Sequence, residues 1–408
     1  MKNLLLFIGL ILIFFSCKQE DKSPQLKEGI WQARLLAMDN AILPFNFKVD
    51  QNEEGSYLLE IYNAEEIIKV DEISILGDSI IIKTPVFEGY IAGTFTSENI
   101  KGEFIKESLD RVVPFEAEFG ITERFNDTKP SNTNISGVWE TEFNPSTPDS
   151  YMGKGIFIQN EDKVTGTFRT TTGDYRYLEG VVDEDSLKIS AFDGAHAFVF
   201  TAKATDSILN GNFYSGNHSK EPFVGKRNET YELPSPDSLT FIKEGYKKLE
   251  FTFPDSPSTT ITLSDEQFKD KVVIVQIMGT WCPNCLDETK FLSTYLNENQ
   301  NEDLKVIGLA FEYAKTSALA FKSINRLKES VGVKYPILLA QYGTSDKKMA
   351  QQKLPMLNHI LSYPTTIFID KKGTIRKIHT GFNGPATGDK YTEFKGEFDD
   401  FVKQLLAE

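Results

Sequence analysis

Trp281-Cys282-Pro283-Asn284-Cys285 follows the apolar run Val272 to Met278 and precedes a segment patterned as a helix to about Asn297. A C-x-x-C pair at a strand-to-helix turn has a physical reason to carry thiol chemistry. The helix start offers unpaired N–H groups and the positive end of the dipole, which stabilise a thiolate at Cys282. Cys285, one turn on, can reach back to it. Pro283 suits the first turn, where its missing N–H costs nothing.

The third cysteine of the 408 residues is Cys17. Lys2 and the apolar stretch Leu4 to Phe15 read as a signal peptide, too short to span a bilayer. The stretch ends at Ser16-Cys17, before the polar run Lys18 to Ser23, and resembles a bacterial lipoprotein signal in which the cysteine is lipidated. Lys18 after the cysteine, by resemblance to sorting rules of Gram-negative bacteria, favours the outer membrane. Glu20-Asp21 leaves cell-surface display open. With Cys17 lipidated, Cys282 and Cys285 are the remaining thiols, and an exported chain with one closely spaced pair suits a working couple rather than a structural staple.

The formal charge of −15 and the lack of Lys/Arg clusters argue against nucleic acid as a partner. The length implies several domains. Residues 1–16 read as signal peptide, 17–25 as tether, 26–125 and 135–229 as two all-β repeats (barrel- or sandwich-like), 230–247 as linker and 248–408 as an α/β domain. Strands are expected over Ile30 to Met38, Tyr57 to Tyr62, Ser79 to Thr84, Tyr90 to Phe95 and Asn99 to Lys106. Gly29-Ile30-Trp31 recurs as Gly137-Val138-Trp139, Asp78-Ser79-Ile80 as Asp185-Ser186-Leu187, Gly102-Glu103-Phe104 as Gly211-Asn212-Phe213, and Pro114-Phe115 as Pro222-Phe223. All four recur at offsets of 107 to 109. Such order implies an internal duplication, each copy with room for roughly eight strands. Trp31 and Trp139 read as core aromatics.

From Phe251 onward strands and helices alternate, marking an α/β layer. Here Phe253-Pro254-Asp255, the Trp281–Cys285 motif and Tyr363-Pro364-Thr365-Thr366-Ile367-Phe368-Ile369-Asp370 resemble the thioredoxin superfamily, within it the TlpA/ResA-like thiol-disulfide oxidoreductases. The resemblance spans 248–408 and implies a central mixed sheet flanked by helices. It also implies a cis bond before Pro364, packed on the cysteines, and a substrate groove formed by Trp281, Tyr363 and Thr365. Two departures stand out. Gln276 occupies the place of the family's buried aspartate, and Lys290 that of a usual proline. Glu288, one turn beyond Cys285, matches a frequent family glutamate; it is read either as a proton shuttle or as a solvated acid favouring the helix dipole.

Metal is not expected, since His196, His218, His359 and His379 are scattered and four ligands do not gather. His379 reads as structural. No cofactor is called for. The chain is therefore expected to exchange disulfides in exported proteins from a lipid anchor, as a reductase recharged by a membrane electron donor. A peroxiredoxin-like peroxidase is one rival, although Gly279 and Met278 stand where such enzymes place threonine and proline. A binding lipoprotein whose β repeats capture a protein or glycan is the other.

Overall fold

The computed structural model describes residues 24–126, 128–131 and 133–408. The segment 1–16 read as a signal peptide, and Cys17, lie outside the described residues. Among the described residues no helix is long and apolar enough to cross a membrane.

Each β repeat holds nine strands rather than eight. In the first, antiparallel neighbours run in sequence from Gly29–Leu36 to Glu66–Val70 and from Ile73–Leu76 to Arg111–Phe119, and the first strand pairs with the last. The result is a barrel-like meander with one seam, between Glu66–Val70 and Ile73–Leu76. Of the four strands the sequence did not announce, Ile42–Gln51 and Arg111–Phe119 contain Pro44 and Pro114, which break the signal of a central strand, and Glu66–Val70 and Ile73–Leu76 are only five and four residues long. In the second repeat the extra pairing of Tyr151–Asn160 with Lys163–Thr170 closes the ring, and the two-residue strand Gly173–Asp174 is appended to Lys163–Thr170.

The duplication is visible atom by atom. Trp31 and Trp139 are both fully buried, and each indole N–H donates to the carbonyl four residues earlier, Lys27 at 3.0 Å and Ile135 at 2.8 Å. The repeats are also joined. Phe192 of the second stacks on Phe45 of the first at 4.3 Å, and the buried Arg124 guanidinium donates to the carbonyls of Pro44 and Tyr62 and to Ser190.

The C-terminal sheet has the order Ile337–Gln341, Leu304–Phe311, Val272–Met278, Thr365–Ile369, Ile375–Thr380. The first three strands run parallel and the last two antiparallel. All seven residues of Val272–Met278 are buried, as a strand covered on both faces requires. Helices α1 (Pro283–Glu298), α2 (Ser317–Val331), α3 (Lys347–Lys353) and α4 (Asp389–Ala407) complete the domain. Phe291 of α1 meets Phe398 of α4 edge-on at 4.9 Å. The stretch 230–247, expected to be a linker, is bound to this domain from Asp237 onward. Asp237 faces His379 at 2.7 Å, Thr380 donates to Thr240 at 2.8 Å, and Ile242 bridges Leu357. These polar side chains pair across the sheet edge, so the segment is held instead of spanning solvent.

Candidate active site

Cys282 is the N-cap of α1, and its sulfur accepts from the Cys285 N–H at 3.2 Å. Both cysteines are free thiols; Cys282 is 7% exposed and Cys285 fully buried. The Tyr363–Pro364 peptide bond is cis. The Tyr363 carbonyl lies 3.4 Å from the Cys282 sulfur and accepts its S–H, so the loop ahead of Thr365–Ile369 and the start of α1 converge on one atom. Burial and the neighbouring Cys282 push the Cys285 thiol well above its usual range.

The space beneath the pair is polar. Gln276 sits fully buried in the central strand, and its amide donates to Glu288 at 2.9 Å and to the Cys285 carbonyl at 3.3 Å. Thr366 donates to the other Glu288 oxygen at 2.6 Å, and Thr289 donates to Gln276 at 3.1 Å. Burial raises Glu288 to about 7, against the opposing effect of its two donors. Glu288 is 1% exposed, which excludes the solvated alternative. Its carboxyl is thus a buried acid held directly against Gln276.

Trp281 is half-buried, donates to the Phe311 carbonyl at 2.9 Å and meets Tyr363 edge-on at 5.6 Å. Thr365, expected to touch substrate, is buried and donates to the Ser362 carbonyl at 2.9 Å, so its side chain shapes the loop from within. Glu312, which the sequence did not single out, is buried and accepts from the Thr280 N–H at 2.8 Å and hydroxyl at 2.7 Å, fixing the residue before Trp281. Burial raises it too to about 7.

The β repeats reach this site, which the sequence did not foretell. The turn 171–174 of the second repeat lies along one side of the dithiol. Ser362, two residues before the proline, donates to the Thr172 carbonyl at 2.7 Å, and Asn284 between the cysteines donates to the Asp174 carbonyl at 3.1 Å. Asp174 in turn accepts from the Gly384 N–H at 2.7 Å. Next along the chain, Arg176 is buried and pairs with Asp287 on α1, with Glu66 of the first repeat and with Asp193 of the second at 3.6 Å. A single guanidinium thus joins three domains two residues past Cys285. Arg176 and Asp287 are 111 residues apart and neither belongs to a motif, so no local pattern marks them.

Residues 243–393 match the Redoxin family. The C-terminal region is a Redoxin domain. The chain is 28% identical over 140 residues to the thioredoxin-like protein YneN of Bacillus subtilis, covering 34% of this chain and 73% of that protein. It is 24% identical to the thiol-disulfide oxidoreductase ResA of the same organism, covering 34% and 69% respectively. A solved thiol-disulfide isomerase from Corynebacterium glutamicum is 19% identical, covering 41% of this chain and 99% of that one, with a TM-score of 0.31. The Redoxin domain is a thioredoxin-like thiol-disulfide oxidoreductase, and the β repeats lie outside the matched region.

Proposed function

We propose that the chain is a lipid-anchored oxidoreductase of the bacterial cell envelope, most simply of the outer membrane, that reduces disulfides in exported proteins. The observation that carries the chemistry is the convergence of the Cys285 N–H and the Tyr363 carbonyl on the Cys282 sulfur. Cys282 thiolate attacks one sulfur of a substrate disulfide, forming a mixed disulfide and expelling the other sulfur as thiolate. Cys285, losing its proton, attacks the Cys282 sulfur and releases the second substrate thiol. The substrate gains two electrons and two protons, and the enzyme is left with a Cys282–Cys285 disulfide. Pro364, Tyr363 and Trp281 line the approach. An envelope location rests on the signal-like start and Cys17, and it supplies the setting in which an electron donor in the membrane returns the pair to dithiol.

Insulin reduction by the mature chain with dithiothreitol as electron source tests this reading. Cys282→Ser abolishes turnover and Cys285→Ser accumulates mixed disulfides; comparable turnover by Cys282→Ser would overturn the assignment. A couple near the roughly −270 mV of thioredoxin supports a reductant, and one near about −120 mV an oxidant. Peroxide consumed faster than insulin would favour the peroxidase. Palmitate labelling lost in Cys17→Ser tests the anchor.

A further inference from the structure

A cavity of about 490 Å³ is walled by both β repeats and by Trp281 and Tyr313 of the Redoxin domain. It reaches the indole adjoining Cys282 and is lined by Tyr175, which directly follows the turn 171–174. Its size falls in the range of sites that hold small ligands or a few peptide residues.

Its charge runs against that of the molecule. In a chain of net charge −15, the cavity presents Lys106 and Arg111, beside a His218 that burial and these cations lower to about 4 and so keep neutral. Lys106 and Arg111 stand directly opposite one another where Asn99–Lys106 pairs with Arg111–Phe119, a like-charge placement that costs stability. Lys106 is 8% exposed and donates to the Ala195 carbonyl at 3.0 Å. No described carboxylate forms an ion pair with Lys106 or Arg111. The acids nearby are engaged elsewhere. Asp193 faces Arg176 and His196, Glu221 accepts from Tyr151 at 2.7 Å, and Glu88 lies against Tyr313. Burial, with Arg111 beside it, lowers Lys106 to about 8, still largely protonated at neutral pH. Phe104, Phe198 and Phe213 supply apolar wall. Lys106 and Arg111 share the cavity with aromatic rings and with one acid, Glu221, which is bound to Tyr151 rather than to either cation, so the two cations present donors suited to an anion.

We propose that this cavity is a specificity site for an acidic, apolar peptide segment next to the reacting cysteine of the substrate, with Lys106 and Arg111 taking the carboxylate. The inference rests on the oxidoreductase reading and names the substrate class of that site.

Two measurements on the full mature chain separate the two. Calorimetric titration with a cysteine-free peptide, serine replacing cysteine between glutamate and phenylalanine, reads the cavity without any redox step. Exchange with the matching cystine peptides, flanked by glutamate or by lysine, reads turnover. The acidic peptide is expected to bind roughly tenfold or more tightly than its lysine counterpart, as a charge-assisted contact provides. Arg111→Glu is expected to reverse the preference in both Kd and KM, and Arg111→Lys to keep it, which guards against a folding artefact. Equal binding of the two peptides, or a preference unchanged in Arg111→Glu, overturns the specificity site while turnover leaves the oxidoreductase reading intact. Absence of exchange with every disulfide overturns that reading, whatever the titration shows. Glutathione disulfide outcompeting both peptides would overturn the peptide assignment in favour of a small carboxylate-bearing disulfide.

Discussion

Glu288 is the buried ionisable group beside Gln276, which cannot ionise. The Cys285 thiol is pushed up by burial and by Cys282, so its ionisation needs an acceptor close by, and Glu288 at about 7 is poised to take a proton near neutrality. Its stability contribution has a definite sign. A carboxyl whose folded pKa is raised binds more protons in the native state, so stability falls as pH rises between the unfolded value, 4.5, and about 7. For Glu288 the full effect is on the order of 3 kcal/mol. Urea unfolding at pH 5 and pH 8 should show a smaller loss in Glu288→Gln than in the wild type, with Glu312 contributing the same sign to both. The acid limb of kcat/KM near pH 7 should disappear in the same variant. An unchanged limb would mean that Glu288 does not titrate in the reaction.

The turn 171–174 is an element whose geometry depends on one glycine. Gly173 has φ +142°, and a Cβ there would stand 2.0 Å from the Asn284 amide nitrogen. Gly173→Val therefore cannot keep both the turn and Asn284 in place. The turn is expected to lift from the dithiol at a cost of about 1–3 kcal/mol, and the alkylation rate of Cys282 by iodoacetamide to rise several-fold. A rate equal to the wild type would show that the turn does not shield the thiol. No motif of the sequence marks this stretch; only the packing shows that the loop ends against Ser362 and Asn284.

For the molecule as a whole, Arg176 is the junction. Removing its charge leaves the buried Asp193 and Asp287 and the partly buried Glu66 without their shared cation, a change that typically costs about 3–5 kcal/mol. Arg176→Met should lower Tm markedly and loosen the β repeats from the Redoxin domain, seen as faster proteolysis between residues 228 and 236. A Tm within a degree of the wild type would show that the pairs contribute nothing net. Val86, Phe87 and Ala195, from both repeats, belong to the same apolar core as Cys282 and Met278, so the three domains share packing as well as charge.

The sequence by itself determined the chemistry and the plan. Trp281–Cys285, Tyr363–Pro364 and the strand-helix alternation are local patterns, and local patterns survive being read in one dimension. The doubled Gly-x-Trp blocks foretold two β units for the same reason, though Pro44 and Pro114 concealed strands in the first. What only the tertiary structure decided is how those units meet. Residues 171–174 against the dithiol, Arg176 between three carboxylates, and the hairpin pair Lys106 and Arg111 in one cavity with Trp281 each join positions far apart in the chain. Burial gives such groups their altered charge and function, and burial is a property of the packed whole rather than of any segment.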